Sequence, residues 1–159
     1  MKKSILFTAA VVLLMGTFVK AQSMTQYTWA AFDTKFKIGS DMKVVESTSE
    51  KFEASGDGIN LTLYPEKVNG LTKSKMKTML QTWTESNGVK PTSDGYTSMK
   101  DLNGYWGEQV VGTKDGYAVY LMFLHDPNHK DIAMYIWVAY EEKTLDLAVS
   151  ILTSFTPTK

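Results

Sequence analysis

The sequence predicts an α+β domain, an antiparallel β-sheet with helices packed on it. Three observations carry that reading. Short apolar or alternating stretches are bounded by Gly, Asn, Asp or Pro, which is the pattern of strands. Two other segments repeat their apolar residues at helical spacing instead. The order is strands, helix, strands, helix, and tight turn signals join successive strands, so neighbours are expected to run antiparallel.

Taken from the start, Met1-Lys2-Lys3 and the uncharged run "SILFTAAVVLLMGTFV" have the form of a signal peptide. "VKAQS" then offers small residues, Val19 and Ala21, for cleavage before Gln22. Residues 1–21 are therefore read as a leader, and residues 22–159 as one domain. The expected location is periplasmic or secreted. There is no cysteine, so neither a lipid anchor on an N-terminal Cys nor a disulfide framework is available.

"QSMTQYTWAAF" is weakly patterned and reads as a short helix or a covering arm. "TKFKIG" alternates Phe36 and Ile38 with lysines, and "MKVVES" and "KFEAS" follow as further strands. After "SGDG", "INLTLYP" sets Ile59, Leu61 and Leu63 on one face, and Pro65 is expected to stop it. A helix should begin near Leu71 with Thr72 as N-cap, bury Met76, Met79, Leu80 and Trp83, and end at Asn87-Gly88. "GYTSMKDL", "GYWGEQVVGT", "YAVYLMFLH" and "IAMYIWVAYE" then form a meander broken by "NG", "KDG" and "DPN". A last helix covers roughly 143–154, with Leu145, Val149 and Leu152 on one face and Leu147 and Ile151 beside it.

Charge narrows the function classes. Of seventeen lysines, Lys2, Lys3 and Lys20 lie in the leader, which leaves fourteen against seventeen acids, a formal charge of −3. There is no arginine, the residue best suited to bidentate phosphate contacts. Nucleic acid and anionic membranes are thus poor partners, and no stable membrane insertion is expected after cleavage.

"FLHDPNHKDI" holds both histidines, and His125, His129 and Asp126 are the metal candidates, with Asp131 nearby. Pro127 prevents a helix from presenting the two rings on one face. A four-residue loop pairing His125 with Lys130 explains the stretch as a turn. It puts Phe123 opposite Ile132 and Leu121 opposite Met134 on an apolar face. The opposite face then carries Tyr120 beside Tyr135 and Ala118 beside Trp137. Such a face is either covered by a second layer or open to bind something. Tyr105 and Trp106, in "NGYWGEQ", could stand at its rim. The candidate binding residues are therefore Tyr105, Trp106, Tyr120, Tyr135 and Trp137.

Catalytic signals are thin. No nucleophile elbow or phosphate loop is present, and Glu108 is the one carboxylate worth testing in a glycosidase-like pairing. No catalytic residue and no cofactor is assigned.

"FDTKFKIGSDMKVVES", "FEASGDGINLTLYP", a helix, a meander and "LDLAVSILTSFTP" together resemble the PsbP-like superfamily in layout. The resemblance implies an α/β/α sandwich around a central antiparallel sheet, and a non-enzymatic binding or assembly role. The expected function is an exported binding domain engaging a protein partner or an apolar ligand through its aromatic surface. A metal-dependent hydrolase using His125 and His129 is one alternative, and a purely structural envelope protein is another.

Overall fold

The computed structural model describes residues 23–56, 58–129 and 131–158, so the leader expected at 1–21 lies outside the described residues. Twelve regular elements follow one another, ten strands and two helices. They are β1 (Met24–Trp29), β2 (Thr34–Gly39), β3 (Lys43–Ser47), β4 (Phe52–Gly56), β5 (Ile59–Lys67), α1 (Lys73–Ser86), β6 (Lys90–Leu102), β7 (Tyr105–Lys114), β8 (Tyr117–His125), β9 (Ile132–Tyr140), α2 (Leu145–Leu152) and β10 (Thr156–Pro157). The weakly patterned N-terminal segment is the strand β1, with a short 3-10 turn at Ala30–Phe32, rather than a helix. Its polar residues hide the alternation, but Tyr27 and Trp29 pack against the rings of Phe36 and Phe52.

Seven strands form one antiparallel sheet in the order β3-β4-β5-β9-β8-β7-β6, and β1-β2-β10 form a second, small one. The two-residue turns at Asn103-Gly104 and Asp115-Gly116 have positive φ at both positions, as tight hairpins require. β5 runs past Pro65 to Lys67 instead of stopping there. Its pairing with β4 ends at Leu63, so beyond that point one side of the strand is open and a missing N–H is tolerated.

Each face of the large sheet has its own core. On one side α1 lies over Val110, Val119, Leu121, Phe123 and Tyr135. Thr72 caps this helix by accepting the Lys75 N–H at 3.4 Å, and its Met76 and Leu80 are buried. Gly88, at φ 69°, ends it in the left-handed conformation. On the other side α2 and the small sheet cover Leu61, Leu63, Met122, Leu124, Ile136 and Val138. α2 buries Leu147, Ala148, Ile151 and Leu152 and leaves Leu145 and Val149 exposed, so its inner face is rotated from the expected one. Both faces of the central strands are therefore covered.

The β8–β9 register differs from the expected pairing by three residues. Phe123 lies opposite Tyr135, Leu121 opposite Trp137 and His125 opposite Ala133. An odd shift exchanges the faces of one strand relative to the other. Tyr120 consequently lies opposite Val138 in the α2-side core, while Tyr135 and Trp137 belong to the α1 side. The physical reason is that both faces are apolar, so hydrophobic pattern alone does not select a register. The longer connection, residues 126–131, is set by its own bonds, with the His129 N–H donating to Asp126 O and the Ile132 N–H to His129 O.

Two outcomes are expected of this core. Phe36 is fully buried, stacked on Phe155 at 4.9 Å and edge-on to Phe52 at 5.0 Å. Phe36→Ala should cost about 3–5 kcal/mol in urea unfolding. Burial pushes the phenols of Tyr105, Tyr120 and Tyr135 up to about 12 from an ordinary 10.0. These groups keep their protons in the folded chain where the unfolded chain loses them. Stability should hold below pH 10 and fall as pH rises toward 12, and an ultraviolet titration should show the same tyrosines ionising late.

Candidate functional site

The β8–β9 connection carries the two histidines, and the fold separates them. His125 ends β8 and is 3% exposed; its Nδ1 lies 3.1 Å from Ile132 O, to which it donates. Its ring packs beside Trp106 at 5.8 Å. His129 is the fourth residue of the connection, where its Nδ1 lies 3.0 Å from Asp126 Oδ2. Asp126 itself is 7% exposed, and its Oδ1 accepts the Asn128 N–H at 2.8 Å. This contact is the kind of local side-chain bond by which Asp favours a turn. The rings thus have different partners, and among the described residues no three His, Asp or Glu side chains are grouped to hold a metal ion.

What the turn does create is a cleft. The turn that joins β1 to β2 approaches the β8–β9 connection, and between them opens a cavity of about 430 Å³. Its walls include Phe32, Leu124, Ile132 and Met134, and its polar lining comes from Asp33, Thr34, Tyr105, Asp126, His129 and Asp131. Thr34 and Tyr105 tie the two sheets together across it. The Thr34 hydroxyl donates to Phe32 O at 2.9 Å, and the Tyr105 hydroxyl lies 2.9 Å from the Thr34 oxygen. The Thr34 oxygen also lies 3.6 Å from the Met134 sulfur, and either hydroxyl can be the donor in the bond between Thr34 and Tyr105.

Carboxylates act on the Tyr105 phenol from both sides of the cleft. Burial is the main cause that raises the Tyr105 phenol, and the carboxylates of Asp126 and Asp33 push it further while the Thr34 bond opposes them. Asp33 adopts the left-handed conformation (φ 46°) at the end of the 3-10 turn, where Asp and Asn are tolerated better than most side chains. Asp131 is held by its backbone, whose carbonyl accepts the Val68 N–H at 2.9 Å.

The five residues expected to form one aromatic surface fall into two groups. Tyr105, 2% exposed, and Tyr120 lie in the core on the α2 side, and Tyr120 donates to Gln109 Oε1. Trp106, Tyr135 and Trp137 lie on the α1 side. There Trp83 of α1 stacks on Tyr135 at 4.6 Å and meets Trp137 edge-on at 5.8 Å, so that helix covers much of this face. A shallow groove of about 470 Å³ remains beside α1, lined by Met79, Trp83 and Tyr135 together with Glu66 and Lys75. Lysines also rest on two of the rings: Lys73 on Trp106 at 5.0 Å and Lys114 on Trp137 at 5.3 Å.

Glu108 is 3% exposed, and its Oε1 accepts a hydrogen bond from Ser98 at 2.5 Å. Its other oxygen has no hydrogen-bond partner among the described residues. A hydroxyl is thus its side-chain hydrogen-bond partner among the described residues. Asp33 and Thr34 are the cleft residues that sequence reading missed. The signal available for them was an Asp-Thr step between an apolar run and a strand, which marks a turn and says nothing of what the turn faces.

No family model matches the chain, and no curated protein matches it. Solved structures do. CyanoP, the cyanobacterial PsbP of Synechocystis, superposes with a TM-score of 0.59 at 12% identity, over 91% of this chain and 98% of that one. LpqN of Mycobacterium tuberculosis, a protein involved in cell envelope biogenesis, gives 0.58 at 14% identity over 86% and 91%. The Ran-binding protein Mog1p of Saccharomyces cerevisiae gives 0.55 at 8% identity over 87% and 97%. At such identities the likeness is one of architecture. The chain has the α+β fold shared by PsbP and Mog1, an antiparallel sheet with two helices packed on it.

Proposed function

We propose that this chain is an exported, non-catalytic binding domain that takes a protein partner or an apolar ligand at the cleft between the β1–β2 turn and the β8–β9 connection. The observation that carries the reading is the cleft itself. A cavity of about 430 Å³ combines an apolar wall with a few polar groups that converge on it, the usual make-up of a ligand site. Two of those groups, Thr34 and Tyr105, are buried and fixed by hydrogen bonds, so the site is preformed. Of the aromatic residues singled out in the sequence, Tyr105 is the one that lines it. Among the described residues no helix is long and apolar enough to cross a membrane. The acidic charge balance and lack of arginine argue against a nucleic-acid partner.

A second surface has its own support. The groove beside α1 exposes the flank of Trp83 next to Tyr135, and Tyr64, 39% exposed, continues the aromatic row at 6.3 Å from Trp83. Trp106, Tyr135 and Trp137 would belong to a partner surface centred there.

Mapping with a small apolar probe separates the two. Amide shifts of the isotope-labelled chain, recorded while 1-hexanol is added, should move at Thr34, Tyr105, Asn128 and Ile132. Shifts centred on Met79 and Trp83 would transfer the function to the groove. No localised shift at either place would contradict a preformed binding site.

A further inference from the structure

Three Asn-Gly steps occur in the chain, at Asn69-Gly70, Asn87-Gly88 and Asn103-Gly104. We propose that Asn69 is a site of spontaneous covalent modification, deamidation to aspartate and isoaspartate, and that the fold protects the other two. In this reaction the backbone nitrogen of the glycine attacks Cγ of the asparagine. An N–Cγ bond forms, the Cγ–Nδ2 bond breaks, and ammonia leaves with the proton of the glycine N–H. Water then opens the five-membered succinimide. Addition at Cγ gives aspartate, and addition at the main-chain carbonyl gives isoaspartate. A glycine in the second position favours closure because no Cβ obstructs the approach. Closure still requires a side-chain amide free to turn and a glycine N–H free of a hydrogen bond.

Two of the steps meet neither condition. The Asn103 amide nitrogen donates to Thr153 O at 3.0 Å and to Phe155 O at 2.9 Å, and the Gly104 N–H donates to Asp101 Oδ1 at 2.7 Å. Asn87 caps the end of α1. There its amide nitrogen donates to Trp83 O at 2.8 Å, and the Gly88 N–H donates to Glu85 O at 3.0 Å. Asn69-Gly70 instead lies in the connection from β5 to α1, and both residues are exposed. Among the described residues, neither the Asn69 side chain nor the Gly70 N–H has a hydrogen-bond partner. A Cβ placed on Gly70 would meet no described atom within 4 Å, so the space around it is open. The connection is held on either side of the step. The Val68 N–H donates to Asp131 O, and Thr72 accepts the Lys75 N–H. Modification puts a new carboxylate between these two anchors and, in the isoaspartyl form, an additional main-chain carbon.

The test ages the purified, folded chain at mildly alkaline pH and, in parallel, the same chain in concentrated guanidinium chloride. Trypsin places the three asparagines in separate peptides, 68–73, 78–100 and 101–114, since the bond before Pro91 resists cleavage. Mass spectrometry reads the replacement of amide by acid in each, and an unaged sample fixes what digestion itself produces. In the folded chain Asn69 should convert at least about tenfold faster than Asn87 or Asn103, whose hydrogen bonds must open first. In guanidinium chloride the three should convert at comparable rates, because the fold sets the difference and all three share the same glycine. Equal rates at the three sites in the folded chain overturn the proposal. So does an Asn69 that stays intact there while the denatured chain converts. A ranking that persists in guanidinium chloride also overturns it, since local sequence and not the fold would then be the cause.

Discussion

The pairing of β8 with β9 is the constraint on which the rest of the structure depends. These two strands lie inside the large sheet, flanked by β7 and β5, and both their faces are buried. A strand in that position has no solvent side on which to place an error. Its register decides which side chains meet α1 and which meet α2 with the small sheet. Met122, Leu124, Met134, Ile136 and Val138 go to one core; Val119, Leu121, Phe123 and Tyr135 go to the other. The same register fixes the length of the connection between the strands, and so the positions of Asp126, His129 and Asp131 in the cleft.

The cleft is a consequence of joining two sheets of unequal size. The small sheet sits on the large one through β2, whose Thr34 meets Tyr105 of β7 and lies 3.6 Å from the sulfur of Met134 of β9. The rings of Phe36, Phe52 and Phe155 fill the joint further along. Where the turn before β2 and the connection before β9 approach without filling the space, the cavity remains. The aspartates in its lining result from ordinary turn chemistry, since Asp and Asn favour turns for their local bonds.

Much of the fold was legible because it depends on local pattern. Thr72, Met76, Leu80 and Gly88 marked α1 at both ends and along its inner face, and "NG" and "DG" marked two hairpins. The PsbP-like layout followed from element order. Legibility failed where pattern was symmetric or interrupted. Both faces of "YAVYLMFLH" and "IAMYIWVAYE" are apolar, so a four-residue loop and the observed longer one fit the sequence alike. β1 was hidden because its outward residues and its inward Tyr27 are all partly polar. The site was half legible. The stretch "FLHDPNHKDI" does border the cleft, through Asp126, His129 and Asp131, but Asp33 and Thr34 come from a turn about ninety residues away in sequence, and no local signal joins the two.

Backbone contacts between β8 and β9 test this account most directly. In nuclear Overhauser spectra of the labelled chain, cross-strand contacts should place Met122 opposite Ile136 and Leu121 opposite Trp137. That result keeps Tyr120 and Tyr135 on opposite faces and leaves the cleft where it is described. Contacts that instead place Tyr120 opposite Tyr135 would contradict it, since the connection would shorten and the cleft would lose its carboxylate wall.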